Sequence, residues 1–180
     1  MSRRFSRGDA RASAPLDQAG LEALAVTYVA RYATTRAKLA IYLRRKLKQR
    51  GWESEDEAPV EAIVERCSER GYIDDAGFAA ARGAALTRRG FGPRRVADAL
   101  RAAGIDSADA AAVTQAARDE ALQAALAFAR RRRIGPFSQQ PITDVEARRR
   151  GYAALLRAGH DAEIARRVAF SDHASSLDEA

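Results

Sequence analysis

This chain of 180 residues lacks most of the devices that announce a chemistry. It has one cysteine, Cys67, which excludes an internal disulfide and a multi-thiolate metal site. Its two histidines, His160 and His173, are too few for a histidine-based zinc or iron centre. No metal or cofactor is therefore expected. No apolar run approaches the ~20 residues needed to span a bilayer. No basic start leads into an apolar stretch with a cleavage signal, so secretion is not expected. A Gly-x-x-x-x-Gly-Lys-Ser/Thr loop for nucleotide phosphates is absent, and so is a Gly-x-Ser-x-Gly nucleophile elbow. Valine and isoleucine total 15, and no stretch alternates apolar with polar, so strands are not expected. Lysine occurs at Lys38, Lys46 and Lys48 only. What remains is a soluble, reduced, cytoplasmic protein.

Alanine and arginine fill the space. Alanine contributes 42 residues and arginine 28 of the 31 basic ones. Both are strong helix formers. Formal net charge is +7 with a pI near 10.1. Outside residues 1–20 and 171–180 the balance is 27 basic against 19 acidic residues, a net of +8. The charge therefore belongs to the folded part. Arginine favours bidentate phosphate and carboxylate contacts, although GC-rich codon usage enriches it as well.

One punctuation mark recurs. An apolar residue, three more residues and then a glycine close successive helical patterns: Leu47 to Gly51, Cys67 to Gly71, Leu86 to Gly90, Leu100 to Gly104 and Leu155 to Gly159. Glycine in that place suits the left-handed position that ends a helix. The following residue is often apolar, as at Trp52, Tyr72, Phe91 and Ile105. Starts follow at once. Asp74 is an N-cap candidate, with Asp75 in the first turn and an Ile73–Phe78 staple across it. Gly92-Pro93 puts proline at a first helical position. Asp106 and Asp161 are further caps. The pattern predicts helices near 20–33, 34–50, 58–70, 75–89, 93–103, 107–118, 119–133, 143–158 and 162–170.

Gly51, Gly104 and Gly159 are 53 and 55 residues apart, which suggests three tandem units of three helices. LRAAGID against LLRAGHD is the clearest echo. The expected organisation is a flexible basic arm over 1–19, repeats over 20–57, 58–105 and 106–170, and a flexible acidic tail over 171–180.

Charge is segregated along the chain. Between Tyr28 and Arg50 there are eight basic residues and no acidic one. Leu39, Leu43 and Leu47 mark the buried stripe of that helix, and Arg44 and Lys48 lie opposite it with Arg45 on a flank. Glu53 to Asp75 is acidic. Arg94 and Arg95 open a later helix, Arg130, Arg131, Arg132 and Arg133 end another, and Arg148–Arg150 form a further run. Arginines at helix C-termini are locally favourable through the macrodipole. That local effect does not account for a whole helix without carboxylates. A segregated basic surface points to an anionic partner.

Other candidates have plainer readings. Asp74-Asp75 reads as capping rather than metal binding, Cys67 as a small core residue, and His160 as a helix-corner residue. Tyr28, Tyr32 and Tyr42 suit a half-buried face better than base stacking. Arg89-Gly90-Phe91-Gly92-Pro93 is similar to a helix-hairpin-helix turn that offers N–H groups to a phosphate; ordinary helix exit and entry accounts for the same letters and is favoured.

Taken together, the motifs resemble the RecX family of bacterial recombinase regulators from about Leu21 to Val168. They are Leu39-x-x-x-Leu43-Arg44-Arg45-Lys46-Leu47; Gly71-Tyr72-Ile73-Asp74-Asp75-x-x-Phe78-Ala79; Arg89-Gly90-Phe91-Gly92-Pro93-x-Arg95-Val96, with Leu100 and Gly104-Ile105; Ala125-x-x-Phe128-Ala129; and Tyr152-x-x-Leu155-Leu156-x-x-Gly159. The resemblance implies an all-α, elongated, curved array of three tandem three-helix repeats. It implies a non-enzymatic monomer that binds the RecA recombinase filament on single-stranded DNA. Such proteins block filament growth and suppress ATPase, strand-exchange and co-protease activity, and some bind DNA directly. One departure is local: where the family has a reciprocal Ser/Glu capping box, this chain has Thr35 and Lys38. The rival readings are a general DNA-binding helical module and a helix-hairpin-helix repair enzyme, for which the sequence offers no clear catalytic pocket.

Overall fold

The computed structural model describes residues 14–139 and 144–172. Arg3, Arg4, Arg7 and Arg11 of the basic arm and the tail from His173 onward lie outside the described residues. The described chain is all-helical. It contains α1 (Gln18–Arg31), α2 (Arg36–Arg50), α3 (Val60–Glu69), α4 (Asp75–Arg88), α5 (Pro93–Ala102), α6 (Ser107–Asp119), α7 (Ala121–Arg132), a 3-10 turn at Gly135–Phe137, α8 (Val145–Arg157) and α9 (Ala162–Phe170). Every helix expected from the punctuation is present.

The glycine stops work as expected. Gly51, Gly71, Gly90, Gly104 and Gly159 all have positive φ. At the last four the residue after glycine donates its N–H back to the apolar residue that opened the pattern. Tyr72 bonds the Cys67 carbonyl at 2.9 Å, Phe91 that of Leu86 at 3.1 Å, Ile105 that of Leu100 at 3.1 Å and His160 that of Leu155 at 3.2 Å. This is the Schellman closure, and it satisfies carbonyls that the helix leaves open.

The starts are capped by short polar side chains. Asp17 accepts from Gly20 N at 2.7 Å, which begins α1 two residues earlier than the periodicity predicts. Asp74, Asp106 and Asp144 cap α4, α6 and α8 in the same way. Thr35 is fully buried and accepts from Lys38 N at 3.2 Å, so the cap survives without its reciprocal glutamate. Asp161 makes no side-chain cap bond. Its carboxylate pairs with Arg94 instead, at 3.0 Å.

The chain divides into two compact units, Met1–Ile73 and Asp74–Ala180. In the N-terminal unit, α1, α2 and α3 enclose Leu16, Leu21, Leu39, Leu43, Ile63 and Cys67. The helix α3, which the sequence intervals place at the head of a second repeat, here buries Val60, Ile63, Val64 and Cys67 in the first core. The described start of the chain is anchored. Leu16 is buried and exchanges backbone bonds with Gly51 and Glu53, each 3.0 Å, and Arg50 donates to the Ala14 carbonyl. Ala14 and Leu16, within the segment expected to be a loose arm, are therefore held against the end of α2.

The C-terminal unit has two adjoining cores. One gathers Ala79, Leu86, Val96, Leu100, Ile105 and Ala117 from α4–α6. The other gathers Ala125, Phe128, Ile134, Leu155, Ala165 and Val168 from α7–α9. Phe91 packs against both. Ile73 is buried in the N-terminal unit's core and Phe78 packs on the α4–α6 core, so each side of the expected staple has its own apolar setting.

Candidate functional site

The basic helix α2 is less bare in three dimensions than in sequence. Glu65 pairs with Arg36 and Glu61 with Arg44, both from α3. These carboxylates are 29 and 17 residues away along the chain. The acidic segment after Gly51 thus folds back on the basic one. Arg44 is a paired cation. Arg45 and Lys46 lie over the Tyr42 ring at 5.6 and 5.7 Å. Lys48 is exposed and makes no ion pair among the described residues. Tyr42 stacks on Tyr28 at 4.2 Å, and Tyr32 tilts against Tyr28 at 5.2 Å. The rings contact one another, which leaves little platform for a nucleotide base.

The Gly71-Tyr72 motif acts through its backbone, since the Tyr72 side chain is half exposed. Cys67 is buried, and burial raises its thiol pKa, so the sulfur stays protonated and inert.

In the C-terminal unit the segment Gly90-Phe91-Gly92-Pro93 is not a phosphate cradle. Gly92 N–H donates to the Ala158 carbonyl at 2.9 Å, and Arg94 N–H to that of Gly159 at 3.2 Å. The donors a phosphate would need are consumed by the α8–α9 corner. A Cβ on Gly92 would lie 2.3 Å from the Gly159 oxygen, and one on Gly159 2.4 Å from Arg95 N. The two corners touch backbone to backbone, and glycine is what permits it.

His160 sits inside this contact. It is fully buried, and its Nε2 donates to the Gly90 carbonyl at 3.1 Å. A carbonyl only accepts, so Nε2 carries the hydrogen, and Nδ1 is left without a partner among the described residues. Burial pushes the imidazole pKa below its usual 6.5, outweighing the raising effects of the Gly90 bond and Asp161. The folded ring is therefore neutral while the unfolded ring takes a proton below about 6.5. Stability contributed by His160 is complete above that pH and is lost as pH falls through it, by at most about 1.4 kcal/mol per pH unit. Urea titrations at pH 7.5 and 5.5 should show the stability gap between wild type and His160→Gln shrinking at the lower pH. A gap that does not change with pH contradicts the neutral-ring assignment.

The arginines that end α7 divide by role. Arg131 donates to the Arg89 carbonyl and helps close the α4–α5 corner. Arg130 lies over Phe137 at 5.0 Å and Arg132 over Phe128 at 5.9 Å. Arg133 occupies the left-handed region at φ 56°, the place glycine fills where α2, α3, α4, α5 and α8 end. A side chain there costs roughly 1–2 kcal/mol. The guanidinium reaches Gln139 Oε1 at 3.0 Å. Arg94 is tied to Asp161, and Arg95 lies over Phe91 at 5.9 Å.

Beside them opens a cleft of about 670 Å³. Arg132 and Arg133 form part of its lining, with Arg148, Arg150 and Arg157 from α8. The side chain of Arg148 is only 21% exposed, and it pairs with Asp172. The tail that sequence treats as free from residue 171 thus begins with an anchored aspartate. The charge map shows Arg148–Arg150 as a run with no role, because residues 130–133 and 148–157 meet only through the packing of α7 against α8.

No family model matches the chain. The regulatory protein RecX of Myxococcus xanthus (strain DK1622) is 35% identical over 161 residues, covering 86% of each chain. The chain belongs to the RecX family.

The fold agrees with solved RecX structures. The crystal structure of RecX from Lactobacillus salivarius superposes with a TM-score of 0.66 at 18% identity, over 89% of this chain and 96% of that one. A second crystal structure, of a regulatory protein RecX, gives 0.60 at 22% identity, over 84% of this chain and 70% of the other. RecX is a regulatory family by name, and the all-helical architecture of this member is the family's fold. No helix among the described residues is long and apolar enough to cross a membrane, and no group of three or more candidate metal ligands occurs among them.

Proposed function

We propose that this RecX-family protein regulates, mainly by inhibition, the RecA recombinase. It binds the RecA filament on single-stranded DNA and suppresses filament growth, ATPase, strand exchange and co-protease activity in DNA repair and the SOS response. It acts without catalysis, as a cytoplasmic monomer, through three tandem helical repeats. The observation that carries this reading is the family relationship across most of the chain. The exposed cations Arg45, Lys48, Arg95 and Arg130–Arg133 support it as the surface that meets an acidic filament and its DNA. Arg44 and Arg94, each already facing a carboxylate, take a smaller share.

The test is a titration of the cognate recombinase's DNA-dependent ATPase. Wild type is expected to inhibit it. Arg45→Glu with Lys48→Glu is expected to raise the half-inhibitory concentration about tenfold while helicity is unchanged, since charge reversal at an interface sets like charges against each other. Full inhibition by the double variant refutes the role of α2. The second reading, a general DNA-binding module, is favoured by the net +8 of residues 21–170. It requires tight, steeply salt-dependent binding to DNA alone, which an anisotropy salt series measures.

A further inference from the structure

We propose that the arginine-lined cleft of the C-terminal unit binds an extended acidic peptide segment of a protein partner. The proposal rests on the reading that the arginine-rich end of α7 faces a partner, and it names the chemistry that this face accepts.

The first observation is charge. Five guanidinium groups, from Arg132, Arg133, Arg148, Arg150 and Arg157, face two carboxylates in the lining, Asp144 and Asp172. Arg150 and Asp144 are 3.9 Å apart, a loose pairing. Arg132 and Arg157 are given no ion pair among the described residues. The cleft therefore holds cationic donors in excess of its own acceptors, and planar guanidinium groups match carboxylates in a two-pronged geometry.

The second observation is a segment of the right kind already in place. Ser171 has extended backbone, φ −72° and ψ 142°. On either side of it Arg148 reads two groups, the Phe170 carbonyl at 3.1 Å and the Asp172 carboxylate. One arginine thus recognises both a backbone carbonyl and an acidic side chain where the chain leaves α9 through the extended Ser171. Of the neighbouring arginines, Arg132 and Arg157 offer the same donors without an ion pair among the described residues.

The third observation is strain. Arg133 keeps a left-handed backbone where glycine would be free of cost. The strained residue is one whose side chain lines the cleft.

The aromatic setting separates a peptide from a nucleic acid. Phe128 is buried, and the ring of Phe91 carries Arg89 at 5.4 Å and Arg95 at 5.9 Å. Neither ring of the lining offers an open face for base stacking, which single-stranded nucleic acid sites use.

The test is fluorescence anisotropy on the full chain, without recombinase, using a labelled alternating Asp–Ser peptide and a labelled oligothymidylate as separate probes. The peptide should bind at low salt. Arg132→Ala with Arg157→Ala should weaken it about tenfold, because two unpaired cations are removed. Arg133→Gly should weaken it about threefold while raising the melting temperature, since the strain is relieved as the donor is lost. That combination is one that a merely structural role for Arg133 would not produce. Peptide affinity that none of these substitutions moves overturns the proposal. So does oligothymidylate being the probe that binds and is lost with the same arginines. Either result leaves the recombinase ATPase titration untouched, so failure here is distinguishable from failure of the regulatory reading.

Discussion

Gly92→Ala should destabilise the C-terminal unit by about 3 kcal/mol or more, a large effect for one methyl group. The added Cβ would stand 2.3 Å from the Gly159 oxygen and 2.5 Å from His160 N. Both are backbone atoms, and neither can rotate away. Separating the corners would also weaken the bonds from Gly92 N to Ala158 O and from Arg94 N to Gly159 O, each worth about 1 kcal/mol. It would further strain the bond between buried His160 and the Gly90 carbonyl. Gly77→Ala is the control. Its added Cβ meets only the carboxylate of Asp74, a side chain that can turn aside at the cost of the α4 cap bond, about 1 kcal/mol. Urea denaturation of both variants measures the contrast. A Gly92→Ala protein as stable as Gly77→Ala would mean that the α5 start and the α8–α9 corner do not meet as described.

Leu155→Ala should cost about 3 kcal/mol, within the range for a fully buried leucine. Leu155 has no exposed surface and lies among Ala125, Phe128, Ala165 and Val168. Its carbonyl also accepts the N–H of His160, but alanine keeps that bond. The loss is therefore one of packing, the transfer free energy of the removed methyl groups plus the void they leave. The alanines around it have no longer side chains with which to fill the space. Chemical denaturation followed by circular dichroism measures the change. A loss below about 1 kcal/mol would show that this alanine-rich core closes over cavities better than cores generally do.

Helix positions were legible because their signals are local. A Schellman stop needs one apolar residue, one glycine and fixed spacing, and a cap needs one short polar side chain before a turn. All the information lies within about six residues, so Leu86–Gly90, Leu100–Gly104 and Leu155–Gly159 could be read from the chain directly. The RecX resemblance was legible for the same reason, as an ordered series of such local signals. The helix end at Arg130–Arg133 was legible too, but not the left-handed backbone of Arg133, which breaks the local rule by doing without glycine.

The candidate site was legible in composition and poorly legible in arrangement. Arg44 read as an uncompensated cation because its partner, Glu61, comes 17 residues later on another helix. The Gly90–Pro93 turn read as a possible anion site because its donors looked free, whereas Ala158 and Gly159 accept from it across the unit. Arg148–Arg150 read only as a basic run, and Arg157 gave no signal, though Arg148 and Arg157 line a cleft with Arg132 and Arg133. Pairing and enclosure depend on distances between elements, which local spacing does not encode.

The absences noted at the outset hold a consistent place in this picture. With few histidines, one buried cysteine and no nucleotide or nucleophile motif, the chain had little to recognise a partner with except charge. Alanine abundance and glycine punctuation were sufficient to specify short helices with tight corners, since helix propensity and helix closure are properties of neighbouring residues. Which arginines face carboxylates, which lie on rings and which line an open cleft depended on how α3 packs on α2 and α8 on α7. Coulombic and hydrogen-bonding energies are set by separations of a few ångströms between groups far apart in the chain, and those separations exist only once the helices have packed.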